Sequence, residues 1–334
     1  MVSAVIFVAT SCVSPLTGFA FWETNLAYEG ESIYNYLQVK SLSDRTILST
    51  NVLFGVQSVT MKDKGLTGMY YDTALAAPAL ADNANSALIL GMGTGTYARQ
   101  LKQYYPKMNI TGVEIDQKIT DLAGEYFDEP ADIPVTTYDG RAWLAASHDK
   151  YDVIMVDAYQ DITIPFQMSS TEFFTMVREH LNPGGVMVVN MNMISDGQGS
   201  INEALSDTIA SVFGNGNTLT ADVPNTTNRE LFAKKPGSGS EENSMQQASK
   251  ALNLRETTYE RTGSEDLEWY MEEVASRFRK VNEPDSASTI LTDDKAPVEV
   301  LGMHAIDQII ADEAGPYRQI LKDEGFGGLL RAVQ

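Results

Sequence analysis

From residue 86 to about residue 235 the chain alternates between short, nearly unbroken apolar runs and longer stretches in which apolar residues recur every three or four positions. The runs are "SALILGMG", "NITGVEI", "IPVTTYD", "YDVIMVDAY" and "VMVVNMN". Between them lie "TYARQLKQYY", "QKITDLAGEYF", "GRAWLAAS" and "STEFFTMVREHL". A run as apolar as "VIMV" needs cover on both faces, and helices between successive strands supply both the cover and the crossover that parallel pairing requires. The pattern predicts an α/β fold, a parallel sheet with helices on both sides. A helix at "INEALSDTIASVFG" and two more strands, "TLTADV" and "RELFAKK", complete it.

The flanking text has other periods. From Glu23 to about Val59, "YNYLQVKSLSDRTILSTNVLFGVQSV" breaks β-branched and aromatic runs with Ser-Asp and Asn, which predicts small antiparallel strands and hairpins. A helix is expected in "TGMYYDTALAAPAL", ending near Asn83. "KKPGSGSEENS" marks a loop and a boundary, and beyond it lies a mostly helical tail that contains the loop "TILTDDKAPVEVLG". The expected divisions are a leader over 1–22, a small β-domain over 23–77, the α/β domain over 78–235 and a helical extension over 236–334.

The leader, "MVSAVIFVATSCVSPLTGFAFW", has no charged residue and is about the length of one bilayer crossing. It lacks the Lys or Arg that precedes the apolar run of a signal peptide. Two readings stand. One is a membrane anchor holding a cytoplasmic catalytic domain; the other is an apolar arm packed on a partner subunit of a soluble cytoplasmic protein.

Charge narrows the partners. With 24 Lys and Arg against 45 Asp and Glu the chain carries −21, a field that repels phosphate backbones and draws cations. Nucleic acid is not expected; a small cationic molecule is, although the same charge also serves solubility. The single cysteine, Cys12, rules out an internal disulfide framework, and three scattered histidines do not make a zinc site, so no metal is expected.

Three elements then specify a pocket. Gly91, Gly93 and Gly95 stand where the first central strand hands over to a helix, so that backbone can turn sharply and approach a ligand. Glu114 closes the next strand about 20 residues on, where a carboxylate can accept both ribose hydroxyls. Asp139, in "YDGRAWL", can accept from an adenine amine, cap the helix that follows, or do both. No P-loop Lys is present. The pocket therefore suits S-adenosylmethionine or its decarboxylated form better than NAD. Asp157 lies just past the fourth strand, at the edge where such sheets place ligands, with Tyr159 and Asp161 close by.

In order and spacing, "ILGMGTG", "VEID", "YDG", "YDVIMVDAYQD" and "LNPGGVMVV" resemble the spermidine synthase group of polyamine aminopropyltransferases. The resemblance runs from about Glu23 to Lys235. "FGVQSV" and "GMYYD" resemble the group's small β-domain, while the leader, "YEGESIYNYLQV" and "LTDDKAPVE" resemble its membrane-attached members. It implies a class I methyltransferase-like Rossmann fold with a small N-terminal β-domain, and a homodimer. It implies transfer of an aminopropyl group from decarboxylated S-adenosylmethionine, a co-substrate and not a tightly bound cofactor, to putrescine or another polyamine, with release of methylthioadenosine.

Carried over by position, Glu114 would hold the ribose, Asp139 and Gly140 the adenine, and Gln57 the thioether region beside the glycine loop. Asp157 would take the proton, Tyr70 would help activate the amine, and Tyr71, Tyr159 and Asp161 would line the amine site. Asp161 stands one residue further from Asp157 than the family usually spaces these acids. Thr94 occupies a place usually held by Asp, and Tyr71 one usually held by His or Gln. Thr94 keeps open a methyltransferase using intact S-adenosylmethionine; a third reading is an inactive nucleoside-binding or membrane-scaffold protein.

Overall fold

Each apolar run becomes a strand and each amphipathic stretch a helix. This computed structural model describes residues 23–51, 56–128, 130, 132–158, 164–192, 199–237, 253–286, 288–303 and 322. The N-terminal region is a four-stranded antiparallel sheet, β1 (Leu26–Glu31), β2 (Tyr36–Ser41), β3 (Arg45–Thr50) and β4 (Ser58–Met61), paired in chain order.

Where one helix is expected there are two, α1 (Tyr70–Ala74) and α2 (Ala76–Leu80). Pro78 has no N–H to return to the carbonyl of Ala74. That carbonyl accepts instead from the Tyr97 hydroxyl at 3.0 Å.

The α/β region follows as β5 (Ser86–Leu90), α3 (Thr96–Tyr104), β6 (Asn109–Glu114), α4 (Gln117–Tyr126), β7 (Val135–Thr137), α5 (Gly140–Ala146), β8 (Tyr151–Val156), α6 (Thr171–His180), β9 (Leu181–Met191), α7 (Ile201–Phe213), β10 (Thr218–Asp222) and β11 (Arg229–Lys234). The tail adds α8 (Leu254–Thr262), α9 (Glu265–Arg277) and β12 (Phe278–Lys280). The sheet order is β12-β10-β11-β9-β8-β5-β6-β7, parallel from β9 to β7 and antiparallel elsewhere. The chain enters at β5, builds outward through β6 and β7, then returns to lay β8 on the other side. The carboxyl ends of β5 and β8 therefore flank a crevice, the topological switch point.

β8 shows why its run has no polar break. Val153 and Met155 enter one core with α1, α2, α3, α8 and α9, while Ile154 and Val156 enter the other with α5, α6 and α7. A third cluster joins the sheets: Leu37, Val39 and Leu48 pack on Ile119, Leu122 and Phe127. Thr96 Oγ1 accepts from the amide of Val59 at 3.0 Å, which fixes β4 against the start of α3. That docking sets Gln57 and Ser58 beside the glycine loop.

The tail is more than helical. β12 pairs with β10, with Ala221 opposite Phe278, so the segment beyond the Gly/Ser loop completes the main sheet. "LTDDKAPVE" returns to the same domain as well. Arg141 at the start of α5 grips Asp293 in a two-pronged contact of 2.7 and 2.6 Å, and the Ser170 hydroxyl at the cap of α6 donates to it at 2.5 Å. Asp293 stands in a turn before Pro297, around which Thr292 and Lys295 exchange backbone hydrogen bonds. It also ties two helix starts together. Among the described residues no helix is long and apolar enough to cross a membrane. The leader over 1–22 lies outside the described residues.

The Asp293 clasp makes a pH-dependent contribution. The Arg141 guanidinium holds the Asp293 carboxyl below its usual range. The contribution is thus present above the ordinary carboxylate range, about pH 4, and is lost as pH falls below it. Because the side chain is 40% exposed, its worth is about 1 kcal/mol. Asp293→Ala is expected to lower the thermal midpoint at pH 7 and to make little difference at pH 3, as melts at the two pH values will read.

Candidate active site

A cavity of about 330 Å³ opens at the switch point. Its floor depends on a close approach. Gly91 has φ +87°, and a Cβ there would lie 2.4 Å from the carbonyl oxygen of Asp157. The amide of Asp157 in turn donates to the carbonyl of Leu90 at 2.9 Å. Only a residue without a side chain lets the ends of β5 and β8 meet this way. Gly93 also faces the cavity, and its amide donates to Glu114 Oε2 at 2.7 Å. Gly95 departs from expectation: it does not line the cavity but forms the left-handed N-cap of α3, with φ +80°.

Glu114 is 6% exposed, and its second oxygen accepts from the amide of Asp116 at 3.0 Å. Burial raises its pKa, while the two backbone donors and that of Ile115 oppose the rise. A carboxylate has about four acceptor positions, so acceptor capacity remains for a pair of ligand hydroxyls. Asp139 does what the sequence allows as a cap: Oδ1 accepts from the amide of Ala142 at 2.7 Å. Its neighbour Gly140 and the half-exposed Tyr138 share the same wall. Gln57, Tyr70, Tyr71 and Asp157 close the other side. Thr94 is fully buried and is not part of the lining. Tyr159 and Asp161 lie outside the described residues.

Asp157 is the chemically distinctive group. Tyr70 Oη donates to its Oδ2 at 2.7 Å and Asn190 Nδ2 to its Oδ1 at 3.0 Å. Asn190 is itself oriented by Asn228, whose amide donates to Asn190 Oδ1 at 2.9 Å. Desolvation pushes the Asp157 carboxyl up to about 7; the charge of Glu114 adds to the rise, and the two donors oppose it. A carboxyl with that value exchanges protons readily near neutrality.

Several residues of the site were not foreseen. Tyr34 and Asn35, in the turn between β1 and β2, reach the cavity. Asn35 is held there by Asp116, to whose Oδ2 its amide donates at 3.1 Å. In the sequence they read as ordinary turn residues. Asn190 carried a faint signal, as the one polar residue inside "VMVVNM". Glu230 carried none, because "RELFAKK" reads as a final strand with charged residues at both of its ends.

Glu230 lies level with Asn190 across the β9 and β11 pair, and Val156 pairs with Val189, so Asp157, Asn190 and Glu230 form one row across three strands. Glu230 is 0% exposed, and neither carboxylate oxygen has a hydrogen-bond partner among the described residues. Burial, then the charge of Asp157, hold it well above the usual range.

Such an acid costs stability once its unfolded counterpart ionises. The cost grows as pH rises above about 4.5, the ordinary glutamate value, and it is absent below that. Glu230→Met is expected to stabilise the protein by about 1 to 3 kcal/mol at pH 8 and by much less at pH 4. Urea denaturation at the two pH values measures the difference.

Fold and site define a Rossmann-type protein of the class I methyltransferase kind, with a cavity at its switch point and an acid at the cavity wall. The spermine/spermidine synthase domain profile matches residues 69–235. The whole chain is 99% identical to 75% of a Bifidobacterium longum protein named probable polyamine aminopropyl transferase. This chain belongs to the spermine/spermidine synthase family. Among solved structures, a probable spermidine synthase from Corynebacterium glutamicum superposes with TM-score 0.56 at 20% identity, over 78% of this chain and 98% of that one. A spermidine synthase in complex with the transition-state analogue AdoDATO gives 0.52 at 20% identity, over 63% and 74%. At those identities the likeness is one of fold.

Proposed function

We propose that this pocket transfers an aminopropyl group from decarboxylated S-adenosylmethionine to a polyamine such as putrescine, releasing methylthioadenosine. The observation that carries the reading is the Asp157 carboxyl at the cavity wall, held by Tyr70 and Asn190 and poised near neutrality. Glu114 accepts from the ribose, and Asp139 with Gly140 meets the adenine. Gln57 and Gly93 flank the sulfur end of the nucleoside.

The acceptor arrives mostly as an ammonium ion, and an ammonium nitrogen has no lone pair to attack with. Asp157 in its ionised form removes one proton. The freed nitrogen lone pair then forms a bond to the carbon beside the sulfonium as the carbon–sulfur bond breaks, and sulfur keeps the electron pair as a neutral thioether. Tyr70 orients the carboxylate, and binding both partners in line supplies much of the acceleration. Since the base must start ionised, kcat/KM is expected to fall as pH drops through an apparent value near 7.

The test is to incubate the purified chain separately with decarboxylated and intact S-adenosylmethionine and a panel of polyamines, then weigh the nucleoside product. Methylthioadenosine with an enlarged polyamine is the expected outcome. Adenosylhomocysteine would instead establish methyl transfer, and neither product with tight nucleoside binding would mean an inactive module. Asp157→Asn is expected to slow turnover by about a hundredfold to ten-thousandfold while nucleoside affinity holds.

A further inference from the structure

Three contacts lead from Asp157 to the backbone of residue 57. Tyr70 Oη lies 2.7 Å from Asp157 Oδ2 and 2.6 Å from Tyr71 Oη, and Tyr71 Oη lies 2.7 Å from the carbonyl oxygen of Gln57. A carbonyl oxygen only accepts, and each phenol owns one hydrogen.

With Asp157 ionised, two hydrogens must serve three contacts. Tyr70 donates to the carboxylate. If Tyr71 donates to Gln57, the two phenol oxygens face each other at 2.6 Å with no hydrogen between them; if Tyr71 turns to Tyr70, the Gln57 carbonyl loses its donor. With Asp157 protonated, three hydrogens serve three contacts. Asp157 then donates to Tyr70, Tyr70 to Tyr71, and Tyr71 to Gln57. The change needs only rotation of the Tyr70 hydroxyl. Neither phenol gives up its proton, since burial holds both Tyr71 and Tyr70 above the usual phenol range.

We propose that Tyr71 is a positioning residue that, through Tyr70, favours the protonated form of Asp157 and so strengthens it as the acceptor of the amine's proton. Tyr71 lines the cavity but makes no hydrogen bond to the carboxyl; it supplies the acceptor that frees Tyr70 to turn. The other groups that face Asp157 among the described residues are Asn190 from β9 and, by charge, Glu114 from β6 and Glu230 from β11. Those remain in place when Tyr71 is changed; the hydroxyl's contacts with Ser58 and Thr96 are lost with it, but neither group acts on Asp157.

The inference rests on aminopropyl transfer by this pocket. Release of methylthioadenosine by the unmutated chain tests that reading, whereas the position of the acidic limb in variants tests Tyr71. The measurement is kcat/KM against pH on the full chain. Tyr71→Phe is expected to move the acidic limb down by about 0.5 to 1 pH unit, the worth of one hydrogen bond. Tyr70→Phe is expected to move it up, because the carboxylate loses a donor. Adding Tyr71→Phe to Tyr70→Phe is expected to move nothing further, as a residue acting only through Tyr70 requires. A limb that stays put or rises in Tyr71→Phe overturns the proposal, as does a further shift in the double variant. If Tyr71→Phe is not recovered folded, Tyr71→Met also lacks the hydroxyl and carries the same test.

Discussion

The close approach of Gly91 to the backbone of Asp157 governs the site. β5 and β8 are neighbours in register through Leu90 and Val156, and the hydrogen bond from the Asp157 amide to Leu90 continues their pairing one step past the strand ends. That extra step puts an acid at the lip of the crevice and not in a loop above it. A side chain at residue 91 would push the two ends apart. The pocket's two halves, glycine loop and acid, would then separate together.

Around that contact the fold gathers carboxyls into surroundings that do not favour their charge. Glu114, Asp157 and Glu230 sit at the ends of β6, β8 and β11, each separated from the next by one strand, and desolvation raises all three. They are treated differently. Glu114 has backbone donors on both oxygens, which preserve it as an acceptor. Asp157 has one phenol and one amide, enough to orient it without pinning its charge state. Glu230 has no donor among the described residues. The gradient from satisfied to unsatisfied means that burial raises the three acids against different opposition, from two backbone donors at Glu114 to none among the described residues at Glu230.

Much of this was legible in the letters. The central strands follow the apolar runs closely because strand burial on both faces forbids polar breaks, and Glu114, Asp139 and Asp157 stand out as charges that end such runs. Gly91 and Gly93 were readable for the same local reason. Gly95 belonged to the same motif yet caps a helix, since three glycines in a row of turns do not say which of them faces the ligand. The tail was read as mostly helical because three residues, Phe278–Lys280, are too few to show a strand period.

Periodicity, charge and spacing are properties of neighbours along the chain, and from them alone the fold class followed, as did Gly91, Gly93, Glu114, Asp139 and Asp157, which line one cavity. Protonation is a property of neighbours in space. Asn190 and the Tyr70 phenol reach Asp157 from elements far away in sequence, Tyr71 stands behind Tyr70, Glu230 acts by charge, and only the packing brought them together.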